Sequence, residues 1–170
     1  MIKMKYNLKE YSTEEDYNSL MKELKSTDFT KLTQENIDEL HFMMCHTEYT
    51  GLRDRIAILI AKTRNEAILI SLIALIKQNI NTKFIGSLIY ACIHFDCSKY
   101  IELFVDIIMV KDDSTGVDAY LVIKAIKSPI DPNIKTYCVN KLTALSELLD
   151  EEYRQYKSVR QTIELINSLD

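Results

Sequence analysis

His41, Cys45 and a later group of cysteine and histidine residues are the first candidates for metal chemistry in this chain. His41 and Cys45 are four residues apart, a spacing that would place both side chains on one face of a helix. A structural zinc site takes about four ligands. The nearest additional ones, Cys92, His94 and Cys97, come much later and lack the paired spacing of a zinc motif. We therefore interpret His41 and Cys45 as partly buried polar residues and predict no metal site.

The segment Cys92-Ile-His94-Phe-Asp96-Cys97 combines a thiol, an imidazole and a carboxylate, the groups of a nucleophilic centre. A thiol nucleophile also needs an oriented base and an oxyanion donor, which adjacency in the sequence does not provide. Asp96 instead has the position expected of a residue that caps the next helix. Glycine-rich phosphate loops and the GxSxG, HExxH and EF-hand motifs are absent from the sequence. We predict no catalytic residue and no cofactor.

Two carboxylates, Glu102 and Asp106, are four residues apart and would share one helical face. Such a pair supports acid–base chemistry only in a pocket that raises one of the two pKa values. Asp106 stands in the apolar run 104–108, so it must lie along the polar side of its helix, beside Glu102 and Lys99. A solvated face and a binding surface are the two alternatives, and we predict a binding surface.

Tyrosine is frequent in this chain, with ten residues. Its ring joins apolar area to a polar tip, which suits both the edge of a core and a protein interface. We combine the tyrosines of the central segment with its charged residues into one predicted partner-binding set. That set comprises Tyr90, Lys99, Glu102, Asp106, Asp112, Asp113, Tyr120 and Lys124.

The charge balance argues against nucleic acid as the partner. Lys and Arg total 21 and Asp and Glu total 25, so the formal net charge is −4. A protein that binds a phosphate backbone usually carries an excess of basic residues. The local basic group Arg53, Arg55, Lys62 and Arg64 is interleaved with acids, and the chain has no tryptophan. We predict no nucleic-acid binding.

The apolar segments are too short to predict a membrane protein. The longest, residues 67–76, is interrupted by Ser71 and does not reach the length that a bilayer requires. The first residues lack the apolar stretch of a secretory signal. We expect a cytoplasmic protein with reduced cysteines and no membrane partner.

Three glycines and two prolines are too few for the many tight turns of a β-sandwich or barrel. Apolar residues recur instead with a helical period, which predicts an all-α fold of about nine helices. Helix starts are predicted at a capping box over residues 12–15, at Thr33 and at Asp131-Pro132. Residues 112–116 are predicted to form a turn, and the acids at 150–152 to begin the last helix.

Short segments of these helices match one another at a regular spacing. Residues 59–62 match 89–92 at a spacing of 30, and 73–76 match 105–108 at a spacing of 32. Ala61, Ala91 and Ala125 stand near the end of each first helix. Two helices per unit with this period resemble the HEAT repeats of α-solenoids, although the proline common in HEAT first helices is missing. An orthogonal helical bundle is the alternative.

The HEAT resemblance implies one domain over residues 1–170 that is a short α-solenoid of antiparallel helix pairs. It has an N-terminal helical hairpin at 1–50, HEAT-like helix pairs at 51–149 and a C-terminal capping helix at 150–170. Each helix pair of such an array packs on its neighbours, and one face of the array forms the binding surface. The expected function is therefore binding of another protein, without catalysis.

Among such binders the chain resembles the immunity proteins of bacterial polymorphic toxin systems, which neutralise a cognate toxin by covering its active face. The partner implied is a toxin or effector domain. An acidic inhibitor suits a basic toxin because electrostatic attraction between opposite charges speeds their association. The alternatives are a scaffold or adaptor subunit and a HEAT-like enzyme of the lyase or glycosylase type. A homodimer is a further possibility for the assembly.

Overall fold

A computed structural model describes residues 14–82, 84–111 and 114–169. In that part of the chain the secondary structure consists of nine α-helices and three short 3-10 turns, with no β-strand, which confirms the predicted all-α class. The helices are α1 (Glu14–Ser26), α2 (Gln34–His46), α3 (Thr50–Ala61), α4 (Glu66–Asn79), α5 (Gly86–Ala91), α6 (Ile101–Val110), α7 (Ser114–Lys124), α8 (Pro132–Ser146) and α9 (Arg154–Ser168). The 3-10 turns are Phe29–Lys31, Cys92–His94 and Ser98–Tyr100.

The chain divides into two compact units, Met1–Asn79 and Ile80–Asp170. The boundary falls inside the segment predicted to hold the HEAT-like pairs, and the prediction of a single domain stays a prediction. In the first unit α1 packs on α3 and α2 packs on α4, while α3 also contacts α2 and α4. Leu24, Leu40, Met43, Ile56 and Leu72 are fully buried in this unit.

The second unit contains α5 to α9 in two sets of stacked helices. In one set α7 packs on both α5 and α9, and in the other α6 packs on α8. The two sets meet where α6 contacts α7 and where α8 contacts α9. Leu88, Phe104, Val122, Leu142 and Ile166 are fully buried in its core.

Polar contacts between helices and loops of the same unit repeat at a nearly constant distance along the chain. His41 Nε2 and Ser71 Oγ lie 2.8 Å apart and join α2 to α4, 30 residues apart in sequence. Asp96 accepts from Ser128 across 32 residues. These contacts link segments about one helix pair apart in sequence, so each unit is compatible with a helical repeat fold.

Helix starts follow the local signals of the sequence in two places. Thr33 accepts from the amide of Asn36 at 3.2 Å and the Asn36 side chain accepts from the Thr33 amide, which completes a capping box. Asp131 accepts from the amide of Asn133 at 2.8 Å, and Pro132 occupies the first position of α8. The predicted capping box at residues 12–15 begins outside the described residues.

Two other local predictions were wrong. Gly116, predicted to lie in a turn, is buried inside α7, where a Cβ would collide with the carbonyl oxygen of Lys111. Close approach of the backbone is therefore the reason for glycine at this position. The last helix begins at Arg154, because the Asp150 side chain accepts from the Glu152 amide at 3.1 Å and forms a turn before it.

None of the helices in the described ranges has the length and apolar character needed to cross a membrane. The four cysteines carry free thiols. Cys92, Cys97 and Cys138 are buried and Cys45 is half-buried.

Candidate functional site

Helices α6 and α8 position the charged and aromatic side chains that the sequence offers for binding. α6 buries Phe104 and Ile108 and leaves Glu102, one helical turn before Asp106, exposed. The side chains considered below define the α6–α8 face. They are Glu102, Asp106 and Val110 on α6 and Tyr137 and Lys141 on α8.

One ion pair joins the two helices of this face. The Lys141 Nζ lies 2.5 Å from Asp106 Oδ1 and 5.5 Å from the centre of the Tyr137 ring. The hydrogen bond to Asp106 raises the pKa of Lys141. Both side chains remain partly open to solvent, at 32% and 46% of their full exposure, so the pair fixes geometry more than it stabilises the fold.

Cys138 lies buried on α8, close to the two carboxylates of α6. Burial raises the pKa of its thiol to about 11, and the negative charges of Glu102 and Asp106 contribute to this rise. The thiol is therefore protonated at neutral pH and is a poor nucleophile.

A cavity of about 420 Å³ opens beside the ion pair. Its wall includes Ile80, Met109 and Val110, together with Asp106 and Lys141. Val110 is 66% exposed although it is aliphatic. The cavity therefore combines apolar area with an ion pair, a composition that is common in binding sites.

The predicted partner-binding residues lie on both sets of helices in the second unit. Glu102 and Asp106 lie on α6, and Lys99 is exposed in the 3-10 turn before it. Tyr90 lies on α5, and Tyr120 and Lys124 lie on α7. Asp112 and Asp113 lie outside the described residues.

Of this set, the structure brings Glu102 and Asp106 together, since both carboxylates act on the Cys138 thiol. Tyr90, Tyr120 and Lys124 belong to helices of the other set. The two sets of helices meet where α6 contacts α7, and the eight-residue binding set stays a prediction.

The partner-binding set predicted from the sequence includes neither Lys141 nor Tyr137. Lys141 stands 35 residues after Asp106, close to the spacing at which the helix pairs match. An alignment of the helix pairs at this spacing places Lys141 opposite Asp106, and it would have indicated the lysine. Tyr137 is one helical turn before Lys141 and follows from the same alignment.

The side chains of the Cys92–Cys97 segment have structural contacts. The Cys92 thiol donates to the Leu88 carbonyl at 3.4 Å, and its hydrogen bond with Cys97 and its burial raise its pKa well above the usual value. Asp96 accepts from the amide of Ser98 at 3.1 Å, as expected of a helix cap. In the described residues no group of three or more histidines, cysteines and acids is placed to hold a metal ion.

Comparison with protein-family models, with curated proteins and with solved structures found no match to this chain. The geometry of the α6–α8 face is therefore the basis for assigning a function. On that face the exposed Val110 and the ion pair of Asp106 and Lys141 line a cavity, and the centre of the Tyr137 ring lies 5.5 Å from the Lys141 Nζ.

Proposed function

We propose that this chain is a non-catalytic protein-interaction module, a short HEAT-like solenoid that binds another protein through the α6–α8 face. One observation supports this most directly. The ion pair of Asp106 and Lys141 holds two helices in register beside a cavity with apolar walls. A preformed surface of this kind loses little conformational freedom when a partner binds.

The residue types of the face are those that contribute most to protein interfaces. Tyr137 is 51% exposed, and its ring covers the Lys141 ammonium from one side. Tyrosine is enriched among the residues whose truncation weakens complexes most, whereas a lone exposed charge contributes little. We therefore assign Tyr137 the centre of the contact and Glu102 its acidic rim.

The ionisable groups of the face support binding more than catalysis. Asp106 and Lys141 neutralise each other, and the Cys138 thiol is protonated at neutral pH. General acid–base catalysis depends on a group with a pKa near the working pH. A scaffold role would use the same surface for a permanent partner.

The partner that we propose is a basic toxin or effector domain, which this chain would neutralise as an immunity protein. The net charge of −4 and the carboxylate of Glu102 favour a positively charged partner through attraction at long range. Expression with the product of the flanking gene, followed by affinity capture, would identify that partner.

Two variants of the α6–α8 face test the proposal against the captured partner. Tyr137→Ala is expected to weaken binding by about 2 kcal/mol, the loss typical of an interface hot spot. Glu102→Arg is expected to slow association and to reduce its dependence on salt. Isothermal titration and stopped-flow mixing measure the two effects.

Each variant has a matched control elsewhere in the second unit. Tyr153 is 65% exposed and precedes α9, and Glu164 is exposed on α9. Tyr153→Ala and Glu164→Arg are expected to bind the partner as the parent does. Equal affinity of Tyr137→Ala and the parent protein would contradict the proposal.

A further inference from the structure

We infer that the cavity beside α6 accepts an uncharged aromatic side chain, a tryptophan or tyrosine of the partner protein. This inference rests on the proposed function, since it names the group that the α6–α8 face would receive. It follows from the apolar walls of the cavity, from the partners that its charged groups already have, and from its volume.

The walls offer apolar area that the fold leaves uncovered. Ile80 and Met109 are half-buried at the cavity and Val110 is exposed beside them. Methionine adapts its shape to a bound group and makes favourable contacts with aromatic rings. Burial of an apolar group against these three side chains removes area from water on both partners.

The charged groups at the cavity already have partners within the protein. Asp106 is paired with Lys141, and the Lys111 ammonium donates to the Thr82 carbonyl at 3.3 Å. An entering guanidinium would meet two ammonium groups, and it would gain the Asp106 carboxylate only by displacing Lys141. Such an exchange leaves one charge unpaired, which is costly when water is excluded.

An entering carboxylate would compete with the partners that the two ammonium groups already have, Asp106 for Lys141 and the Thr82 carbonyl for Lys111. The cavity lies at the C-terminal end of α6, where the helix dipole is negative. The Asp106 carboxylate adds to that field from the same helix. An uncharged ring leaves both of these contacts in place, so its entry needs no rearrangement of the charged groups.

The volume of about 420 Å³ lies within the range of sites that hold small organic groups. Tryptophan, tyrosine and arginine dominate the anchors of protein interfaces. The argument from charge removes arginine, and the volume accommodates either of the two aromatic side chains.

Indole and p-cresol, the side chains of tryptophan and tyrosine, are the probes for this site. Titration of the full chain, followed by amide resonances in NMR, is expected to give saturable shifts at residues 80, 81 and 106–111. Guanidinium and acetate ions are expected to cause no saturable shifts at these positions. Absence of saturable shifts with both aromatic probes, or tighter binding of either ion, would overturn the inference.

Two exposed valines provide a variant and its control. Val110→Trp places a ring at the cavity and is expected to weaken indole binding by about tenfold or more, as loss of an apolar pocket does. Val117, which is 41% exposed on α7, does not line the cavity. Val117→Trp is expected to leave indole binding unchanged.

The same two variants connect the cavity to the partner. Weaker binding of the captured partner by Val110→Trp, with no change for Val117→Trp, is the expected result. If the partner binds Val110→Trp as tightly as the parent, the inference is wrong even where indole binds. The proposed function fails separately, when Tyr137→Ala leaves partner affinity unchanged.

Discussion

At the scale of single residues, the ion pair of Asp106 and Lys141 determines what the α6–α8 face can bind. Without Lys141, the half-exposed Asp106 carboxylate would be a free acceptor for a basic ligand. With Lys141 in place 2.5 Å away, the pair is neutral and Tyr137 covers one side of the ammonium. The face therefore presents a neutral centre, with Glu102 as an acid at its edge.

Asp96 gives a prediction about acid stability. Burial alone would raise the pKa of its carboxyl, but hydrogen bonds from Ser128 and Ser98 outweigh that effect and lower the pKa below its usual value. The ionised carboxylate therefore stabilises the fold fully at pH values above the pKa of Asp96 in the unfolded chain. This contribution is lost as the pH falls through the lower pKa of the folded state. Asp96→Asn is expected to lower the free energy of unfolding at pH 7 by about 1 kcal/mol.

The difference in the free energy of unfolding between Asp96→Asn and the parent is expected to shrink in acid. Urea unfolding at several pH values measures this difference. Ser128→Ala removes one donor to the Asp96 carboxylate. This variant is also expected to reduce the pH dependence of the free energy of unfolding. A difference that stays constant into the acid range would contradict the role assigned to these hydrogen bonds.

The thiols give a second prediction at this scale. Cys92, Cys97 and Cys138 are buried, and the pKa values of Cys92 and Cys138 are raised, so few thiolates form. Cys45 alone is half-buried. A disulfide reagent is expected to modify Cys45 in the native protein and the other three thiols only after denaturation.

Cys45→Ser provides the control for this measurement. In that variant we expect no fast thiol reaction under native conditions and three reactive thiols in denaturant. Fast reaction of the native variant would show that at least one buried thiol is accessible to the reagent.

At the scale of the helices, contacts about one helix pair apart recur in both units. The ion pair spans 35 residues from α6 to α8, and the contact of His41 with Ser71 spans 30 residues from α2 to α4. The spacing of matching apolar segments in the sequence has similar values. The spacing of these contacts is therefore compatible with the period that the sequence predicts.

Gly116 gives the prediction for this scale. Alanine is the better helix former, but a Cβ at Gly116 would meet the Lys111 carbonyl, which is backbone and cannot move aside. Gly116→Ala is expected to destabilise the protein by about 1–3 kcal/mol, the usual cost of overpacking. Thermal unfolding measures this change.

Gly86 at the start of α5 is the matched control. A Cβ there would lie 3.4 Å from Asp118 Oδ2, an ordinary contact with a side chain. Gly86→Ala is expected to change the stability by less than about 0.5 kcal/mol. Equal loss of stability in the two variants would contradict the packing role of Gly116.

Local signals predicted the existence of the helices better than their ends or the site. Thr33 and Asp131 cap helices as expected, because their hydroxyl and carboxylate bond to amides nearby in the sequence. The role of Gly116 depends on a carbonyl that the local sequence pattern does not reveal. Lys141 reaches Asp106 from another helix, so the charge of the site could not be predicted from the pattern of α6 alone.

At the scale of the whole molecule, the chain has two compact units, and each has its own core of buried apolar residues. The helices that form the α6–α8 face, and all residues that line the cavity, belong to the second unit. The site is therefore complete within residues 80–170.

A fragment of residues 80–170 is expected to fold by itself, since a unit with its own core can do so. Circular dichroism is expected to give a helical spectrum and one cooperative thermal transition. The same fragment is expected to bind indole as the full chain does. A fragment without cooperative unfolding would contradict the independence of the second unit.

Hydrogen exchange of the chain in complex with its captured partner tests the central claim most directly, because it compares the two sets of helices in one measurement. The proposed function predicts slower exchange in peptides from α6 and α8 when the partner binds, with little change in α5 and α7. Protection confined to α5 and α7, where Tyr90 and Tyr120 lie, would contradict binding through the α6–α8 face.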